Sequence, residues 1–114
     1  MNDREARMTE QIYIKGRTFY AKGEIDVATR SVTIFKGSVI NPAKTDVYGE
    51  YTTNLKQTLI NKGILVNNEF TEDFTFDYPA TASALVSGSR AGYKIIKLIS
   101  DDKSIRTLFS EWRK

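Results

Sequence analysis

Residues 74–98, FTFDYPATASALVSGSRAGYKIIKL, decide how this chain is read. Phe74 and Phe76 alternate with Thr75 and Asp77, the period of a half-buried strand. Pro79 then opens a helix, because the first turn has no use for the N–H that proline lacks. Ala82, Leu85 and Val86 make the apolar stripe of that helix. Gly88 stops it, and Asp77 is the expected N-cap. A Gly-Ser-Arg-Ala-Gly turn leads into YKIIKLI at 93–99, read as a second and more deeply buried strand. Strand, helix and strand in so short a span predict an α+β domain.

The flanking sequence extends the pattern. The aromatic strand reaches back to Phe70, spanning 70–77. Residues 50–62 predict a helix with Tyr51, Leu55 and Leu59 in one stripe, Ile60 beside them, and Gly63 as a left-handed cap. Residues 37–49 read as irregular, with Asn41-Pro42 starting a turn. Further upstream, residues 31–36 predict a strand with Val32 and Ile34 inward. In 18–27, Phe19, Ala21, Ile25 and Val27 face one way and Tyr20, Lys22, Glu24 and Asp26 the other. Gly23 on the apolar side reads as a bulge. Residues 11–15 give a further strand, and short connections make the first three an antiparallel meander. Downstream, Ile105, Leu108, Phe109 and Trp112 mark an amphipathic helix over 103–112, capped by Asp101-Asp102. The expected architecture is a mostly antiparallel sheet of four or five strands packed against two or three helices. A flexible tail over 1–10 precedes a single domain over 11–114. Leu55, Phe74, Phe76, Leu85 and Ile95 are expected to meet in its core.

Composition fits one such domain. The chain has 114 residues, 40% of them apolar, with 6 Phe, 6 Tyr and one Trp, which is a globular rather than a disordered profile. No apolar run approaches the roughly 18 residues of a membrane span. The charged start MNDREARMTE lacks the apolar segment of a signal peptide. A cytoplasmic setting is the expectation.

The chain contains neither histidine nor cysteine. That excludes Ser-His and Cys-His nucleophile systems, thiolate metal sites and disulfides. The 14 acidic residues show no paired-carboxylate motif. No catalytic set, metal or cofactor is expected, and the chain does not read as an enzyme.

Charge is distributed unevenly along a chain of net charge +3. Residues 11–44 carry six basic and two acidic side chains, 45–73 two and five, and 74–114 seven and four. If the first and last segments lie side by side, their lysines form one basic face. The alternative is that these lysines only solvate the outer surface. Tyr13, Lys15, Tyr20 and Lys22 share the polar side of their strands, and aromatics interleaved with lysines suit single-strand stacking. The plainer reading is that they are exposed sheet-face pairs that help cross-strand packing. Arg90 sits between glycines beside Tyr93 and Lys94. The candidate nucleic-acid contacts are therefore Lys15, Lys22, Arg90, Tyr93, Lys94 and Lys97. Lys36-Gly37-Ser38 reads as a strand-ending bulge or a close approach to phosphate, without P-loop spacing.

A family resemblance rests on Tyr20-Ala-Lys-Gly23, on Lys36-Gly37-Ser38, and on Leu55, Leu59 and Lys62-Gly63-Ile64-Leu65. It continues through Phe74, Phe76, Tyr78-Pro79-Ala80, Ala82, Gly88, Ala91-Gly92-Tyr93 and Ile96-Lys97. These residues resemble a bacterial and archaeal domain of unknown function found C-terminal to GIY-YIG nuclease domains and in restriction-modification-linked proteins. The second half is also similar to the domain associated with restriction-system adenine methylases. Tyr93 and Ile96 stand where that family carries tryptophans. The run IYIKG at 12–16 echoes a GIY-YIG nuclease start, but no second motif follows. The resemblance implies a non-catalytic accessory module linked to DNA metabolism or restriction. Its implied partner is DNA or RNA on a basic face, or else a nuclease or methylase onto which the module docks.

Overall fold

A computed structural model describes residues 9–42, 50–89 and 92–108, with the side chain of Tyr93 excepted. Seven strands form in it: β1 (Thr9–Lys15), β2 (Tyr20–Asp26), β3 (Val32–Ile34), β4 (Leu65–Val66), β5 (Glu69–Phe70), β6 (Phe74–Phe76) and β7 (Lys97–Leu98). Two α-helices, α1 (Glu50–Asn61) and α2 (Pro79–Ser87), and two 3-10 turns, Gly92–Ile95 and Ile105–Leu108, complete it. The main sheet is antiparallel in the order β6-β3-β2-β1-β7, and β4–β5 is a separate hairpin. This is a small α+β fold. Of the expected tail, only Thr9 and Glu10 are described, and both pair with β2. The expected sites at Arg90, Phe109 and Trp112 lie outside the described residues.

The meander follows from alternation. Ile12 and Ile14, Ala21 and Ile25, and Val32 and Ile34 all turn to one face and are fully buried. Gly23 sits in regular register between Ile12 and Ile34, so it is not a bulge. A Cβ there would collide with the Thr33 carbonyl oxygen, and glycine is what lets β3 lie this close. The β2–β3 turn is tied by Asp26 Oδ1, which accepts from the N–H groups of Ala28 and Thr29 at 2.8 and 3.1 Å.

The helix α2 lies on the inner face against β1, β3 and β6. Pro79 occupies its first turn and Gly88, at φ 72, ends it. Tyr78 is the cap residue and supplies no side-chain bond. Asp77 stands one position too early to do so. Ala82, Leu85 and Val86 are fully buried, as is the small polar residue Ser83, and Ser87 is buried beside them. Ser87 Oγ donates to Ser83 O at 2.7 Å, so its hydroxyl is satisfied inside the helix.

The α1 helix packs on α2 and β4 with a face different from the expected stripe. Thr52, Lys56 and Leu59 are buried and Leu55 is half-buried, whereas Tyr51 and Ile60 are exposed. Spacing of 3.6 residues per turn puts Tyr51 and Ile60 on opposite flanks of the stripe centred near Leu59 and Thr52. Burial pushes the Lys56 ammonium below its usual range. At the C-terminus Ile64 N–H bonds Leu59 O at 2.9 Å and Gly63 N–H bonds Ile60 O at 3.1 Å, around Gly63 at φ 75. That pair of bonds is a Schellman cap.

Three expected elements change form. The strand over 70–77 is two strands broken at Thr71–Asp73. Its first part pairs with β4 across Asn67-Asn68, at φ 52 and 65. Two consecutive left-handed residues are what a type I′ hairpin turn requires. The deeply buried strand over 93–99 is a 3-10 turn followed by the two-residue edge strand β7. Ile95 is half-buried and Ile96 fully buried, both packed on the core. Consecutive residues of a strand face opposite sides, so a turn is needed to bury both. Ser83 Oγ holds this turn by donating to Gly92 O.

The helix expected from 103 begins as a 3-10 turn at Ile105. Ser104 caps it, its Oγ accepting from Arg106 N–H at 3.2 Å. Asp102 cannot open a helix, because its φ is 62. All five expected core residues join one cluster: Phe76 and Leu85 are buried, and Leu55, Phe74 and Ile95 pack against it. Phe74 and Phe76 meet edge to face, with centroids 5.0 Å apart.

Candidate functional site

The α2 helix packs on one face of the sheet, and among the described residues no helix covers the other. Register places Tyr13 opposite Lys22 and Lys15 opposite Tyr20, which makes a checkerboard of two tyrosines and two lysines. Diagonal partners in such a pair lie roughly 7–8 Å apart. Lys97 pairs with Tyr13 from β7 and extends the same face. Lys22 Nζ stands 6.0 Å from the Tyr20 ring centroid, a weak cation–π contact. Thr33 and Thr75 continue the face, their hydroxyls 2.7 Å apart.

Two concavities flank Tyr20 and Lys22. The larger, about 510 Å³, is lined by Tyr13, Lys15, Tyr20, Lys22, Ile99 and Asp102. The smaller, about 150 Å³, adds Lys36, Gly37 and Ser38 to Tyr20 and Lys22. Lys22 is held by its backbone. Its N–H donates to Ser38 Oγ at 3.1 Å, and Ser38 Oγ donates back to Lys22 O at 3.3 Å. Lys22 O also accepts from Phe35 N–H at 2.8 Å, so beyond the end of β3 this buried hydroxyl stands in for a strand partner at Lys22 N–H.

Tyr13 is fixed at its tip, where its hydroxyl donates to Asp102 Oδ1 at 2.8 Å. That bond, with desolvation and the Asp102 charge behind it, raises the phenol pKa above the ordinary value of 10.0.

Among the expected site residues, Lys15, Lys22 and Lys97 therefore share one face. Lys94 is exposed on the 3-10 turn after α2 and lines neither concavity. Arg90 and the Tyr93 side chain lie outside the description. Lys36, Ile99 and Asp102 join the face without having been expected there. Lys36-Gly37-Ser38 is not a phosphate cradle. Its three N–H groups are spent on Asp73 Oδ1, Phe70 O and Phe35 O at 2.8, 2.8 and 3.1 Å. Among the described residues, no group of three or more acidic, histidine or cysteine side chains is placed to hold a metal ion. No described helix is long and apolar enough to cross a membrane.

The chain is thus a small α+β domain with a tyrosine- and lysine-bearing sheet face that no described helix covers. It belongs to the family described as a domain of unknown function, DUF4357, whose model matches residues 12–95. No curated protein and no solved structure gives a match.

Proposed function

We propose that this domain is a non-catalytic accessory module that holds single-stranded nucleic acid on this sheet face. The observation that carries the reading is the checkerboard of Tyr13, Lys22, Lys15 and Tyr20, extended by Lys97. Bases of every kind stack on aromatic rings while lysines meet the phosphates, and the combination tolerates any sequence. A duplex fits the same face less well, because its bases are already stacked and none of the described helices is a basic recognition helix to enter a groove. The resemblance to domains that accompany GIY-YIG nucleases and restriction systems supports a setting in DNA metabolism or genome defence. A cytoplasmic setting is part of this reading. The absence of histidine and cysteine from the sequence supports a binding rather than a catalytic role.

Titration of labelled single and double strands over a salt series tests it. Lys15, Lys22, Lys36 and Lys97 can neutralise three or four phosphates, so log K should fall against log salt with a slope of roughly −2 to −3 for a single strand. Replacing Lys15 and Lys22 together by alanine should flatten that slope by about 1.4 on every sequence. If neither strand form binds at low salt, the reading is wrong. Docking of the module onto a nuclease or methylase then takes its place.

A further inference from the structure

The larger concavity is chemically two-sided. Lys15, Lys22 and Tyr20 line one side, and Tyr13, Ile99 and Asp102 the other. A surface meant only for phosphates gains nothing from a carboxylate, yet Asp102 is held there by two separate devices. Its backbone takes the left-handed conformation, φ 62, that few residues other than glycine adopt. Its Oδ1 also accepts the Tyr13 hydroxyl. The reversal that presents it is closed by Asp102 N–H on Leu98 O and Leu98 N–H on Lys103 O, both at 2.8 Å. An ionised carboxylate has about four acceptor positions, and the Tyr13 bond takes one.

We infer that this concavity is a guanine pocket for the bound strand. The inference rests on the single-strand reading above and adds base preference to it. The base lies against Tyr13 and Ile99, its N1–H and N2–H donate to the Asp102 carboxylate, and Lys15 and Lys22 meet the neighbouring phosphates. Single-stranded bases are read on their pairing edges in this way. Guanine alone among the common bases offers two adjacent donors on that edge. Adenine and cytosine set one amino group beside a ring nitrogen that a carboxylate repels. Thymine and uracil set one N–H between two carbonyls. Ile99 and Asp102 follow the family-matched residues 12–95, so the pocket is completed by a segment beyond that match.

Fluorescence anisotropy tests the inference with short single strands of thymine alone, and of thymine alternating with guanine, adenine or cytosine. Lithium buffer keeps the guanine strand from forming quadruplexes. The intact chain should bind the guanine strand about tenfold more tightly than thymine alone, within the range a two-bond base contact discriminates. Asp102→Asn keeps a residue tolerant of left-handed backbone and should bring the guanine strand down to the thymine level. Its binding of the thymine strand is the internal reference, so the ratio of the two affinities reads the guanine contact. Tyr13→Phe releases the carboxylate and should reduce the same preference. Equal binding of all four strands, or a preference for adenine or cytosine, overturns the guanine pocket and leaves the platform standing. A guanine preference that survives Asp102→Asn also overturns it. No binding by any strand overturns the platform itself.

Discussion

The Tyr13 hydroxyl donates to the Asp102 carboxylate across 89 positions of sequence, at 2.8 Å. That bond ties the first strand's outer face to the reversal after the last strand. Both residues line the larger concavity.

The same bond predicts a titration. The folded Tyr13 pKa lies above its ordinary value of 10.0, so the folded state holds this proton more tightly than the unfolded chain does. The stabilisation is fully present below pH 10 and is lost as pH climbs through the raised folded value. Ultraviolet titration of tyrosinate should show a late step, above the ordinary value of 10.0. Tyr13→Phe should remove that late step, and Asp102→Asn should return it toward the ordinary value. A late step that persists in both variants would exclude the contact.

Gly23→Ala should destabilise the fold by about 2–3 kcal/mol, in the range for overpacking a tight site. Its new methyl meets the Thr33 carbonyl oxygen, which is backbone and cannot rotate away. Urea unfolding checks this. A midpoint equal to that of the parent would mean β2 and β3 are further apart than described.

Phe76→Ala should cost about 3–5 kcal/mol, as for other buried phenylalanines. Phe76 is 2% exposed and stands edge to face with both Phe70 and Phe74. A loss within about half a kcal/mol would put Phe76 on the surface and break the β3–β6 register, since so small a change is typical of exposed sites.

Ser38→Ala should cost about 1–3 kcal/mol, because it strips the Lys22 N–H of its partner in a part-buried place. It should also lower single-strand affinity through loosened placement of Lys22, with the salt slope unchanged. Thermal melting and the binding titration read the two effects separately. A variant with parental melting temperature would show that the Ser38 hydroxyl does not serve β2.

Local pattern carried much of this fold. The alternation of Ile12 and Ile14, Ala21 and Ile25, and Val32 and Ile34 is visible residue by residue, and so are Pro79 and Gly88 at the ends of α2. The Asn67-Asn68 hairpin also had a local signal, two turn-forming residues between Leu65-Val66 and Glu69-Phe70. A reading of 70–77 as one strand passed over it. Residues 93–99 were less legible. An apolar run such as YKIIKLI states that Ile95, Ile96 and Leu98 are buried, but not by which backbone path. Stripe width misled in α1, where Tyr51 and Ile60 flank a face completed by Thr52 and the stem of Lys56.

By itself the sequence determined which strands alternate, where the helices stop, and that Tyr13, Lys15, Tyr20 and Lys22 share a polar side. These are short-range matters, settled by side-chain period, by proline's missing N–H and by glycine's freedom at positive φ. Only the tertiary structure decided that Lys97, Ile99 and Asp102 come to that side. A two-residue edge pairing and one hydroxyl–carboxylate bond bring them there. Contacts between residues so far apart in the chain leave no periodic trace along it. They exist only once the core has closed and the sheet order has made β1 and β7 neighbours.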